Sequence, residues 1–315
     1  MQERRKEARL QPNKKVCKSQ SEKGLSTLLI FFWVKIKMEK GVWLEFEKID
    51  DTFAKYGLWQ APLKFRDQKV PFKAILKEIK GKQRVVSIVS RGYRLVPNEM
   101  VHEAVVQLSE MFNLRLMKRE GHVWLKGGRV VYEFEKDGLR GYWTLVFPEK
   151  YTVEKGDKVQ LGVQIRNSID GSMGFGIDLF TFRMICSNGV VVKTRDLEIR
   201  TYWKHTKGLE LDIGKIKETI IEILDRGQSI LDNYRALTAL KLNQEIAERL
   251  AERLPKKYLP EYIKAKEQKI ELLKPATLWE TYNDITRLIW HSKTASMFTK
   301  RNLNRELHKV LEISL

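Results

Sequence analysis

Apolar and polar residues alternate with a period of two along Leu114 to Arg119, His122 to Lys126, Arg129 to Glu135, Gly141 to Phe147, Val159 to Asn167, Phe175 to Cys186 and Val190 to Arg200. That period sends successive side chains to opposite faces of a pleated backbone, so each stretch is predicted as a half-buried strand. The punctuation between them is regular: Glu120-Gly121, Gly127-Gly128, Asp137-Gly138, Asp170-Gly171 and Asn188-Gly189. Such pairs supply the positive φ angles of tight hairpins, and their succession predicts an antiparallel meander. Within it, Val159, Leu161, Val163 and Ile165 form an oily face, while Gln160, Gly162, Gln164 and Arg166 form a face open to a ligand. On the next strand Phe180, Phe182, Met184 and Cys186 are expected on one side, with Thr181 and Arg183 on the other. Cys186 reads as a small core residue, free cysteine being among the most buried side chains.

Ahead of the meander, Arg84 to Ser90 predicts a strand. Asn98 after Pro97 suits a helix N-cap, with Val101, Val105, Leu108 and Phe112 on one helical face. From Gly41 to Val70 aromatic and charged residues mix without a sustained period, which predicts only short elements. Beyond Gly208 the period lengthens to that of helices. Ile213, Ile216, Ile220, Ile223 and Leu224 mark the first, and Asn243 to Leu254 a second that stops at Pro255. Thr277-Leu-Trp-Glu280 opens a third with a capping box, and Leu303, Leu307 and Val310 line the last. The expected fold class is α+β: an antiparallel β-meander sheet with a helix before it and a C-terminal helical bundle packed on or beside it. The expected division is a leader over 1–37, a sheet domain over 38–207 and a helical region over 208–315. The apolar run Leu25 to Val34 is about half the ~20 residues needed to span a bilayer. Ordered-looking sequence begins at Met38, which is expected to be the initiator.

Charge then narrows the partner. The 315 residues carry 59 Lys and Arg against 40 Asp and Glu, a formal net charge of +19. An excess of that size favours a polyanion, and nucleic acid is the expected partner, with no membrane. The only cysteines, Cys17 and Cys186, lie far apart, which suits a reducing cytoplasmic setting without a disulfide framework. His102, His122, His205, His291 and His308 show no metal-ligand spacing, and no metal or cofactor is expected.

Candidate chemistry gathers at two predicted hairpin ends. Arg166, Asn167, Ser168 and Ser172 crowd one; Arg183, Ser187 and Asn188 crowd the other. Guanidinium forks suit phosphate oxygens, although Asn, Ser, Asp and Gly are also what tight turns require, and Arg183 equally suits a structural ion pair. Downstream, Lys193, Arg195, Arg200, Lys204, His205 and Lys207 alternate with Tyr202 and Trp203. Cations that neutralise a backbone, interleaved with rings that stack bases, are the means of binding single strands, although an edge strand guarded by lysines has the same composition. Arg287, His291, Lys293, Lys300, Arg301 and Arg305 read as solvated helix faces. No nucleotide loop, nucleophile elbow or zinc-protease motif occurs, so no catalytic residue is assigned. Asp178, Asp196 and Glu198 are the carboxylates a metal-dependent nuclease would use.

The order Phe147-Pro148, Gly162-Val-Gln-Ile-Arg-Asn-Ser-Ile-Asp-Gly-Ser, Phe182-Arg-Met-Ile-Cys-Ser-Asn-Gly and Leu278-Trp-Glu-Thr-Tyr-Asn-Asp-Ile-Thr, with His291, resembles the phage- and plasmid-like family catalogued as domain of unknown function 932. The resemblance covers most of the chain after about Asp67. It implies a prokaryotic cytoplasm and work on mobile-element DNA. A basic meander flanked by helices also has the architecture of single-strand-annealing recombinases, which is analogy. The leading expectation is a non-enzymatic protein that binds or anneals single-stranded DNA and forms a homo-oligomer. In that role Arg166, Arg183, Arg195 and Arg200 meet phosphate, with Asn167, Ser168, Asn188, Lys193 and Lys204 beside them, and Tyr202 and Trp203 stack on bases. The alternatives are a metal-dependent nuclease or other phosphoryl-transfer enzyme, and a non-catalytic structural or host-interaction protein.

Overall fold

The computed structural model describes residues 36–37, 43–46, 49–66, 68–118, 128–184, 188–192, 202–206, 211–266 and 269–313. Outside them lie most of the expected leader, the predicted strand His122 to Lys126, Cys186, Ser187, and the stretch 193–200 with Lys193, Arg195, Asp196, Glu198 and Arg200. The chain divides into two compact units, the first ending at Tyr93 and the second running from Arg94. The division therefore falls ahead of the meander, and the meander shares the second unit with the helical region.

The first unit is an antiparallel sheet of β1 (Ile36–Lys37), β2 (Trp43–Phe46), β3 (Leu58–Phe65), β4 (Gln68–Ile79) and β5 (Lys82–Ser90), in that order. Of these, β5 is the strand that the alternation of the sequence predicts. The hairpin from β4 to β5 turns on two residues, Lys80 at φ 54° and Gly81 at φ 71°. Positive φ at both central positions is the turn that matches strand twist, and Gly81 supplies one of them without strain. Ala61, Leu63, Ala74 and Leu76 form the buried cluster on one face. On the other face Leu58 and Ile75 are fully buried.

The second unit opens with α1 (Asn98–Met111), whose Val101, Val105 and Leu108 are buried as the period required. Its N-cap is Pro97, not Asn98. Asn98 instead donates to the Gly138 carbonyl at 2.8 Å, because its side chain is buried and must find a partner inside. The sheet follows as β6 (Arg115–Lys118), β7 (Arg129–Glu135), β8 (Arg140–Val146), β9 (Tyr151–Glu154), β10 (Asp157–Ser168), β11 (Phe175–Arg183), β12 (Asn188–Val192) and β13 (Tyr202–Trp203). Its strand order is β12-β11-β10-β8-β7-β6, with β9 beside the start of β10 and β13 beside the start of β11. The pairing is antiparallel except that β6 runs parallel to β7. Asn188 and Gly189, expected as a turn, are instead strand residues of β12, opposite Arg183 and Phe182.

The helices are α2 (Ile213–Arg226), α3 (Ser229–Ala239), α4 (Gln244–Arg253), α5 (Leu278–Trp290) and α6 (Met297–Val310), with a small hairpin of β14 (Ile263–Lys266) and β15 (Lys269–Leu272) between α4 and α5. The capping box at Thr277 and Glu280 is formed in both directions. The protein is thus α+β, an antiparallel meander with C-terminal helices packed on the sheet. Val159, Leu161, Val163 and Ile165 are buried in one cluster with residues of α1, α2, α3 and α5. The opposite face is buried as well: Val131, Tyr142, Val146, Phe180 and Phe182 pack with Trp290 and Met297, brought there by α5 and α6 alongside β12.

Candidate nucleic-acid interface

Register decides what the predicted site residues do. Gly162 lies opposite Phe180, Gln164 opposite Asp178, and Val159 opposite Arg183. Directly paired residues share a face, so Arg166 and Arg183 lie on opposite faces of the sheet. The expected division into an oily face and an arginine-bearing face open to ligand is corrected: each arginine is on a face of its own, and helices cover both.

Arg183 lies at the end of β11, where its guanidinium meets Asp157 at the start of β10, Nε to Oδ2 at 2.7 Å and Nη2 to Oδ2 at 2.5 Å. The Trp279 indole donates to the same oxygen at 2.9 Å. Asp157 is 2% exposed, so the pair satisfies a carboxylate that burial would otherwise penalise. On the other face Arg166 donates to Asp178 at 2.9 Å and to the Gly174 carbonyl at 2.8 Å. Gly176 makes this possible, since a Cβ there would strike the Arg166 guanidinium. Arg301 of α6 donates to Asp178 and to Gln164, each at 2.5 Å, and Gln164 donates to Thr144 at 3.1 Å. Burial by itself raises the Asp178 carboxyl, but the two guanidiniums outweigh it and hold the group below its usual range. Lys300 and Arg301, expected on a solvated helix face, are 7% and 8% exposed. Lys300 donates to the Trp290 carbonyl at 2.7 Å.

The turn residues are equally engaged. Asn167 donates to the Val96 carbonyl and to Asn98, at 2.9 and 2.8 Å. The Ser168 hydroxyl donates to the Met173 carbonyl at 2.8 Å and accepts from the Met173 amide at 2.9 Å. Ser172 donates to Asp170 and accepts from Arg140 Nε at 2.9 Å. Asn167 and Ser168 are fully buried. Arg166, Asn167, Ser168 and Arg183 therefore stand where they tie the sheet and its loops together.

One predicted group is at the surface. β13 pairs Trp203 with Phe175 and Tyr202 with Gly176. Trp203 is half-buried, its ring 5.5 Å from that of Phe175. Tyr202 turns the other way and is 46% exposed, with the Arg166 guanidinium 5.4 Å from its ring centroid. Lys204 beyond it is exposed. The following His205 fastens this edge, its ring nitrogen Nδ1 3.0 Å from the Arg94 carbonyl and its own carbonyl accepting from the Arg94 amide. A groove near the C-terminus of α5, lined by Lys257, Tyr258, Arg287, Leu288, His291 and Ser292, gathers further cations. Cations there complement the negative end of the helix dipole, which explains them without a ligand.

Sequence reasoning missed a buried chain of hydroxyls. Thr181, Tyr234 and Tyr282 follow one another at 2.9 Å, and Tyr282 reaches His308 Nε2 at 3.1 Å. Burial depresses the His308 imidazole to about 4, keeping it neutral. The signal available was polar residues at core positions of amphipathic helices, Tyr282 in step with Leu278 and Ile285, and His308 beside Leu307.

These placements define a mixed α+β protein with buried arginine–carboxylate pairs between a meander and its helices, and an aromatic, basic edge at β13. Residues 85–310 match the family described as Domain of unknown function (DUF932), and the chain belongs to that family. No curated protein and no solved structure matches it. Among the described residues, no helix is long and apolar enough to cross a membrane.

Proposed function

We propose that this protein binds nucleic acid without cleaving it, that its partner is single-stranded DNA, and that it acts in the cytoplasm in replication or recombination of a mobile element. The observation that carries the reading is Tyr202: a ring 46% exposed at the edge of the sheet, backed by the Arg166 guanidinium and followed by exposed Lys204. An exposed aromatic face beside cations suits base stacking with backbone neutralisation, and the formal charge of +19 supplies the long-range attraction. The phosphoryl-transfer alternative loses support at Asp178, whose carboxylate is held by Arg166 and Arg301.

The test is fluorescence anisotropy of a labelled oligothymidylate against the full chain across a salt series. Binding is expected to weaken steeply as salt rises, because released counterions dominate the affinity. Tyr202→Ala is expected to lose about 1–3 kcal/mol, the worth of one stacked base. No binding at low salt overturns the reading, and binding by the wild type with full retention in Tyr202→Ala removes Tyr202 from it. Cleavage of the labelled strand in magnesium or manganese would instead establish the phosphoryl-transfer alternative.

A further inference from the structure

Among the arginines that the second unit buries, Arg140 stands apart. It is 7% exposed, as closed off as Arg301 at 8%, yet it makes no ion pair among the described residues, whereas Arg166, Arg183 and Arg301 each meet a carboxylate. A guanidinium keeps its charge when taken from water, and its N–H groups then call for acceptors. Arg140 Nε donates to the Ser172 hydroxyl at 2.9 Å, and the group rests on the Phe298 ring, 4.6 Å from the centroid. A ring face attracts the charge but leaves the in-plane N–H groups without acceptors. The two terminal nitrogens of Arg140 have no hydrogen-bond partner among the described residues, and neither is sealed from solvent.

The neighbouring carboxylates are engaged elsewhere. Glu135 is the direct cross-strand partner of Arg140, but it accepts from the Met297 amide at the start of α6, while Arg140 is drawn to Ser172 in the loop after β10, on the side away from β7. Asp170 accepts from the amide and the hydroxyl of Ser172, and Asp178 is held between Arg166 and Arg301.

Register sets Arg140 close to the exposed edge of the sheet. It lies opposite Ser168, and Tyr142, Arg166, Gly176 and Tyr202 form the adjacent row across four strands. Directly paired residues share a face, so Arg140, Arg166 and Tyr202 rise from the same one. As diagonal neighbours Arg140 and Arg166 stand about 7–8 Å apart, within reach of long side chains. Arg166 lies over Gly176 and Tyr202 over Gly174, since a Cβ at either glycine would strike the side chain above it. Arg166 uses Nε on Asp178 and Nη1 on the Gly174 carbonyl; its Nη2 has no hydrogen-bond partner among the described residues and reaches solvent. The rim is open, with Gly171, Ser172, Tyr202 and Lys204 exposed.

We infer that Arg140 and Arg166 clamp one phosphate of a nucleic-acid strand, Arg140 through the fork of its two terminal nitrogens and Arg166 through Nη2, with the adjoining base stacked on Tyr202. The inference rests on the nucleic-acid reading above and assigns its phosphate contact to Arg140, which no turn or motif of the sequence singles out. Guanidiniums already fixed by Ser172, Phe298, Asp178 and Gly174 lose little freedom on binding, and their planar N–H groups match phosphate oxygens.

The test is oligothymidylate binding to the full chain carrying Arg140→Gln, Arg140→Lys or, as a control of equal charge loss to the first, Lys155→Gln, an exposed lysine of the second unit. Arg140→Gln is expected to lose at least about tenfold in affinity, the worth of charge-assisted hydrogen bonds to one phosphate. The slope of log affinity against log salt should drop by about 0.7, one phosphate fewer being neutralised on a single strand. Arg140→Lys should keep the slope and recover only part of the affinity, because a point charge replaces the fork. The control should change affinity by about twofold or less, its charge being screened. A strand with methylphosphonate linkages carries no backbone charge, so wild type and Arg140→Gln should bind it alike. Arg140→Gln leaves no ion-paired carboxylate behind and should melt cooperatively. If it does not, Arg140→Lys carries the test, with a loss of about threefold or more on the charged strand and none on the uncharged one. Wild-type affinity in the Arg140 variants, a loss no larger than the control's, or an equal loss on the uncharged strand overturns the clamp and leaves the nucleic-acid reading and Tyr202 standing. Wild type that binds no oligonucleotide at low salt overturns both.

Discussion

Two sets of basic residues in this molecule obey opposite rules. In the second unit Arg166, Arg183 and Arg301 each face a carboxylate across strands or from a helix, and the carboxylates, Asp157 and Asp178, are buried. On the sheet of the first unit Lys64 faces Lys69 and Lys77 faces Arg84, at or near the surface. The first set is what a folded interior demands, since a guanidinium taken from water needs a partner. The second keeps its cations at or near the surface, where water and salt screen like charges and a cross-strand repulsion costs little. The difference teaches that the cations most distinctive as sequence motifs are structural, and that burial, not residue type, decides whether a cation must meet a carboxylate.

The sharpest way to break the comparison is to unpair the interior. Asp178→Asn leaves Arg166 and Arg301 with a buried charge uncompensated, and about 3–5 kcal/mol of stability should be lost in urea unfolding. Arg183→Gln, which strands Asp157 beside Trp279, acts in the same direction. A loss of under about 1 kcal/mol for Asp178→Asn would show that the pair is no more than a surface ion pair.

Next in size is the pH response of the same interior. His308 is fully desolvated, and its pKa in the folded protein, about 4, lies below the ordinary imidazole value of 6.5. As pH falls the unfolded chain therefore takes up the proton first. Stability is fully present above about 6.5, declines down to about 4 and levels off below, a loss of about 3 kcal/mol through this residue. Burial also lowers His102 and His205, which act in the same direction. His308→Gln should flatten part of that decline in melting curves taken between pH 7 and 4, while keeping a partner for the Tyr282 hydroxyl. An unchanged slope would show that His308 is already charged in the folded state.

The meander was legible because its turns use Gly after Asp and its strands alternate cleanly, as at Arg129–Glu135, and the capping box at Thr277 was legible because it is local. The β3–β4–β5 sheet was only partly legible. Its hairpin turns on Lys80-Gly81, with lysine at a position where asparagine would signal a turn, and β4 places lysines on one face beside buried Ile75, so neither face reads as polar. Helix α3 was hidden for a related reason, with four polar residues among Asp232, Asn233, Arg235 and Thr238. At the site, the types of Arg166 and Arg183 were plain, but their faces depend on which residue of β11 meets which of β10. A shift of one residue in that register would have put both arginines on one face. Partners as distant in sequence as Gln164 and Arg301 leave no local signal at all.

The smallest effect carries the comparison furthest, because its sign is opposite to all the others. Replacing Lys69 by Gln removes a repulsion from Lys64, and replacing it by Glu creates an attraction across the same pair. The expected gain is about 0.2 kcal/mol for the first and up to about 1 kcal/mol for the second, and high salt should erase both. Arg84→Gln relieves Lys77 in the same way. Removing a cation thus stabilises the first unit and destabilises the second, although the residue types are alike. If Lys69→Glu melts lower than the wild type at low salt, the row is held by native interactions that outweigh its repulsion, and the first unit's cations obey the same rule as the interior. If it melts higher, and the gain vanishes in high salt, the cross-strand pair of Lys64 and Lys69 is repulsive in the folded protein, opposite in sign to the pairs of the interior.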